Sequence, residues 1–163
     1  MDHKKILDWL TPVDYGPEQS DYLRKRQPGT GQWLLSSAKF ETWLKGNGQT
    51  LFCPGIPGGG KTFLTSIVIE HLTTWYRVDA SIGITYFYCN FRRQYQQGVE
   101  DLLSNLLKQL IQDLPALPDS VEDLHRSHKH RRTRPSIKEL SGVFQSVAPR
   151  YSKLFIVIGA LDE

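Results

Sequence analysis

The stretch Gly55-Ile56-Pro57-Gly58-Gly59-Gly60-Lys61-Thr62 fits the pattern G-x-x-x-x-G-K-[ST]. It restricts the fold more than any other part of the chain. A short apolar run, Thr50-Leu51-Phe52-Cys53, precedes it, and a segment of helical period, Phe63 to Leu72, follows. A glycine-rich loop between a strand and a helix is the context that turns this pattern into a phosphate site. Glycines let backbone N–H groups turn inward around an anion without Cβ obstruction. The helix behind presents unpaired N–H groups and the positive end of its dipole to the same phosphates. Lys61 is expected to reach the β and γ phosphates, and the Thr62 hydroxyl to ligate Mg²⁺. A chance Gly/Pro turn carrying Lys-Thr would not need a strand on one side and a helix on the other.

The bulk composition supports a folded, soluble chain. At 163 residues, with 39% hydrophobic and 23% charged residues, it is long enough for a real core and has no disorder signature. A net charge of +3 argues for no nucleic-acid partner unless it is concentrated in one place. Cys53 and Cys89 lie in apolar, strand-like runs. Two cysteines make neither a disulfide scaffold nor a four-ligand metal site, so reduced thiols are expected. Without an apolar leader or an 18-residue apolar span, a cytoplasmic location and no membrane partner are expected.

Along the chain, residues 4–10 suggest a short amphipathic helix stopped by Pro12. Residues 11–31 read as an ordered lead-in or linker, which divides the chain into a lead-in at 1–30 and a nucleotide-binding unit at 31–163. Trp33 to Leu44 suggest two short helical turns, with Ser36 or Ser37 as an internal N-cap. After the glycine loop, Leu64, Ile67, Val68, Leu72 and Trp75 follow the spacing of one buried helical face. Residues 82–89 are aromatic and β-branched, as a buried strand should be.

The leucine stripe from Val99 to Leu114 predicts a core-facing helix ended by Pro115. Residues 119–130 predict another helix. It runs into His125 to Arg134, where five fixed positive charges and three histidines fall in ten residues. That run is open to four readings: a nucleic-acid patch, a localisation signal, a metal site, or a solvated, mobile loop. No aromatic residues interleave to stack bases, and no ligand partner is visible for the histidines, so the solvated loop is favoured. Ser136 and Glu139 form a capping box that opens a helix with Ile137, Leu140, Phe144 and Val147 inward. Lys153 to Ile158 is an unbroken apolar run, the pattern of a parallel strand covered on both faces.

An apolar strand ending in acids, about a hundred residues after the glycine loop, is what a Walker B segment looks like. With both in hand, the chain resembles the NACHT-type P-loop NTPases. It is most similar to the nephrocystin-3-like N-terminal domain of fungal NLR-like and ankyrin-repeat proteins. The residues carrying this are Gly31-Gln32-Trp33-Leu34, Trp43-Leu44, Phe52 to Thr62, Tyr86-Phe87-Tyr88-Cys89, Leu102-Leu103, Leu106-Leu107, and Phe155 to Ile158 with Leu161-Asp162-Glu163. The resemblance implies an α/β, three-layer P-loop NTPase fold with a mostly parallel sheet and helices on both faces. It implies ATP or GTP with Mg²⁺ as cofactor, and a signalling switch that works with copies of itself or with NLR-like partner chains.

Two departures qualify those implications. The family pattern at the strand end begins with Asp, and here that position is Gly159. The missing acid normally helps hold Mg²⁺, and losing one such oriented contact commonly costs on the order of 10²–10³ in rate. Asp162 and Glu163 match the family's water-orienting acids, so slow hydrolysis stays open. The sequence also stops where the family domain is about half complete, from which an incomplete sheet is expected. Two functions are therefore carried forward: nucleotide binding with weak or no turnover, and a non-hydrolysing scaffold or fragment of a longer receptor-like protein.

Overall fold

Two runs of β-branched and aromatic residues, β1 (Ile82–Asn90) and β2 (Lys153–Leu161), pair in parallel, with Ile82 opposite Lys153 and Asn90 opposite Leu161. The computed structural model describes residues 3–27, 29, 31–48, 51, 61–90 and 98–161. Among them the order of helices is α1 (His3–Leu10), α2 (Gly16–Lys25), α3 (Gln32–Leu35), α4 (Ala38–Lys45), α5 (Lys61–Tyr76), α6 (Val99–Ile111), α7 (Asp119–Lys129) and α8 (Ile137–Val147), with a 3-10 turn at Ala148–Arg150 before β2. A mixed α/β chain with a two-stranded parallel sheet is what the described residues form. The expected third strand, at Thr50 to Cys53, falls almost wholly outside them.

Residues opposite one another in a parallel ladder share a face, and successive residues alternate. Gly159 lies opposite Tyr88 and packs on Thr65 of α5. Thr85, of opposite parity, donates its hydroxyl to the Leu106 carbonyl of α6 at 3.0 Å. The sheet thus carries α5 on one face and α6 on the other. The α5 face gathers Phe155, Val68 and Leu72 with Leu34 and Phe40 of α3 and α4. A second cluster joins Ile69, Phe87, Tyr88 and Leu106 to Tyr15. The largest cluster is all-helical, with Ile6 and Leu10 of α1, Leu107, Leu110 and Ile111 of α6, Val121 and Leu124 of α7, and Leu140, Val143 and Val147 of α8.

Several boundaries differ from the sequence expectation. Residues 11–31 are more than a lead-in, because α2 lies within them and packs on α5. Pro17 in its first turn is the reason a turn-rich stretch can open a helix, since that position needs no N–H donor. In α5, Ile67, Val68 and Ile69 are all buried, so burial wraps round the helix instead of following one stripe. The sheet on one side and α2 on another account for this. Trp75, expected inside, is 70% exposed and leans on His71, ring centroids 5.6 Å apart. The α6 helix ends at Ile111, with Gln112 still in the helical region and its N–H bonded to the Lys108 carbonyl, and does not reach Leu114, which precedes Pro115. In α8 the buried series is Leu140, Val143 and Val147, whereas Ile137 is exposed. Ser37 and Ser136 cap α4 and α8 as expected, accepting from Phe40 N–H at 3.2 Å and Glu139 N–H at 3.1 Å.

Candidate functional site

The α5 helix begins at Lys61, directly after the three glycines of the loop. The N–H groups of its first turn have no partner within the helix. Thr62 sits in this turn and is buried. One turn further on, Thr65 meets Gly159 near the carboxyl end of β2. The start of α5 is therefore held beside the carboxyl ends of the parallel strands, which is where open α/β sheets take their ligands.

One polar bridge ties α5 to the sheet, one close approach sets the segment before α3 against α5, and one amide pairing ties α6 to the edge of β1. Gln19 of α2 is buried, donates from Nε2 to the Ser66 carbonyl of α5 at 2.8 Å, and accepts from the Tyr88 hydroxyl of β1. Burial pushes the Tyr88 phenol far above its ordinary value, so its hydroxyl stays protonated and donates. Gly31 ahead of α3 has φ +83, and a Cβ there would lie 2.7 Å from Ile67 Cδ1 of α5. Positive φ and close approach together call for glycine at this position. On the far edge of β1, Gln109 of α6 acts as a substitute strand. It accepts from the Tyr86 N–H at 2.8 Å and donates to the Tyr86 carbonyl at 2.6 Å.

The site residues named from sequence divide sharply. Thr62 is placed at the helix start, and Lys61 opens the helix, though its side chain lies outside the description. Gly55, Ile56, Pro57, Gly58, Gly59 and Gly60 lie outside the described residues, as do Asp162 and Glu163. The position that would carry the metal-holding acid, Gly159, is buried with its α-carbon turned toward α5. A Cβ built there would lie 2.7 Å from Thr65 Cγ2, 2.8 Å from Oγ1 and 3.1 Å from Cβ. The space for an acidic side chain is thus taken. Of the residues expected from sequence to hold phosphate or Mg²⁺, the described part of the chain places Thr62, buried in the first turn of α5. No hydrolytic step follows from it.

The basic run, favoured from sequence as a solvated loop, is instead half helical and partly built into the structure. His128 is buried, with Nδ1 2.6 Å from Thr133 Oγ1 and Nε2 2.8 Å from Glu139 Oε2. The carboxylate partner that the spacing did not reveal comes from α8, where the other oxygen of Glu139 accepts from the Ser136 N–H at 3.1 Å. These bonds, the Ser136 N–H foremost and then His128, hold the Glu139 carboxyl below its usual range. Arg134 donates to the Trp9 and Leu10 carbonyls at 2.6 and 2.7 Å and lies over the Trp9 ring, closing the C-terminal end of α1. Sequence gave no signal for Gln19, whose partners are distant in the chain. Nor did the sequence single out Thr65, whose contact with Gly159 joins residues 94 positions apart.

Among the described residues no group of three His, Cys, Asp or Glu is placed to hold a metal ion, and Cys89 is a free, half-buried thiol. No described helix is long and apolar enough to cross a membrane. No curated protein and no solved structure matches the chain. One family model does, that of the nephrocystin 3 N-terminal region, and it matches residues 29–163. That span runs from the glycines ahead of α3, through the loop and α5, to the end of the acid-bearing segment. With most of its length so matched, the chain belongs to the nephrocystin 3 N-terminal family.

Proposed function

We propose that this chain binds a nucleoside triphosphate, ATP as first candidate and GTP as second, and turns it over slowly or not at all. The observation that carries the reading is the position of α5. The helix starts at Lys61, immediately after Gly58-Gly59-Gly60, and its start lies beside the carboxyl end of β2. In that position the loop amides from Gly55 to Gly60, the Lys61 ammonium and the helix dipole would share the phosphate charge. Thr62 would be the chain's ligand to Mg²⁺, with phosphate oxygens and water completing the shell. The family membership favours a NACHT-type signalling role, in which binding rather than turnover carries the message and copies or partner chains respond to it.

Slow turnover is supported by Gly159. The acid that normally orients the ion is absent, and Thr65 fills its place. Asp162 and Glu163 remain as residues that could orient an attacking water. Titration with a fluorescent ATP analogue, with and without Mg²⁺ and alongside phosphate release, tests both parts. The parent should bind, with phosphate release close to background. Lys61→Ala should bind at least about tenfold more weakly, the loss of one charge-assisted contact to phosphate. Equal binding by the two proteins would remove the nucleotide reading.

A further inference from the structure

We propose that Thr65 is the residue that keeps position 159 free of a side chain, and so keeps a metal-holding carboxylate out of this site. The packing relation stands on geometry alone, whereas its consequence for the metal rests on the nucleotide-binding reading above. A Cβ at 159 would fall within 2.8 Å of both Thr65 Cγ2 and Oγ1. Threonine is β-branched, so two of its three staggered positions are always filled. Turning χ1 moves both atoms, but it leaves at least one of the two clashing positions filled by a heavy atom. The Thr65 Cβ itself stands at 3.1 Å, so the obstruction is not only the tip of a mobile side chain. Relief would require α5 to lift from β2, and α5 is held down by the Gln19 bridge between Ser66 and Tyr88 and by the approach of Gly31 to Ile67. Glycine at 159 and threonine at 65 are thus one packing unit. Restoring the acid alone would displace the helix that carries Lys61 and Thr62.

A double-mutant cycle read by thermal unfolding decides the packing relation. Gly159→Ala should lower Tm by about 5 °C in the parent, the usual scale for one overpacked methyl in a chain of this size. In a Thr65→Ala background the same change should cost less than half as much. Equal losses in both backgrounds would overturn the proposal. If Gly159→Ala alone fails to fold, recovery of the fold by the double variant supports it, and failure of the double variant overturns it. A second arm measures fluorescent ATP affinity with and without Mg²⁺ for Gly159→Asp, with and without Thr65→Ala. Mg²⁺ should tighten binding about tenfold more in the double variant than in the parent, and an equal gain in Gly159→Asp alone would show that Thr65 excludes nothing. If no protein in the set binds nucleotide, the functional reading fails and the melting cycle still decides the role of Thr65.

Discussion

Glu139 shows how much one side chain can carry. One carboxylate oxygen closes the capping box of α8 through the Ser136 N–H, and the other meets His128 at the end of α7. Its folded-state pKa is depressed, so its contribution is fully present above the ordinary glutamate value of 4.5 and is lost as pH falls through the lower folded value. The parent should therefore lose Tm on acidification below that value more steeply than Glu139→Gln does, as melting curves between about pH 3 and 6 would record. A parallel pair of curves would mean that the carboxylate adds nothing in the folded state. Gln19 joins α2, α5 and β1 through two hydrogen bonds while almost fully buried. Replacing it with alanine should cost about 1–3 kcal/mol in denaturant unfolding, because both bonds vanish from a dry site. A change within experimental error would show that α2 is held by apolar contacts alone.

At the scale of elements, periodicity and caps made most helices legible, and their limits were not. Ser37 and the Ser136–Glu139 pair announce α4 and α8 because capping is a short-range relation between side chain and backbone. The stripe from Val99 to Leu114 announces α6, which runs from Val99 to Ile111, because a core-facing helix repeats on itself. Helix α2 was hidden, since its sequence Gly16–Lys25 is polar and its one buried residue is Gln19. The basic run misled for the opposite reason. Its charge is plain, but the groups that engage it, Trp9 on α1 and Glu139 on α8, come from elements that no local pattern connects. The edge of β1 is a further case, because Gln109 reads as an exposed polar residue on α6 until its amide is seen to pair with Tyr86. Gln109→Ala should leave the Tyr86 amide without that acceptor, and hydrogen exchange there should accelerate by roughly tenfold or more while the α8 amides are unchanged. Unchanged protection at Tyr86 would show that the edge is guarded by something else.

For the whole molecule, the covering of the sheet is uneven. On the α5 face Phe155 packs with Val68 and Leu72, and α6 covers β1 on the other face, but Ile156 and Ile158 on β2 are 42% and 56% exposed. They share a face, so the chain displays an apolar strip, which favours association in water. Ile156→Thr combined with Ile158→Thr should reduce self-association in sedimentation measurements, with Tm shifted by no more than about 2 °C, since little buried contact is lost. Unchanged sedimentation would place the sticky surface elsewhere. On the nucleotide-binding reading proposed above, a strong phosphate-loop motif is paired with weak turnover. Helix α5 is docked with its first two turns near the carboxyl end of β2, and a side chain at position 159 would meet Thr65. Binding and turnover are thereby separable, and a single titration separates them. With Mg²⁺ present, the parent protein should take up fluorescent ATP saturably, release phosphate near background, and lose at least about tenfold in affinity on Lys61→Ala. Undiminished binding by Lys61→Ala, or rapid phosphate release by the parent, would contradict the account.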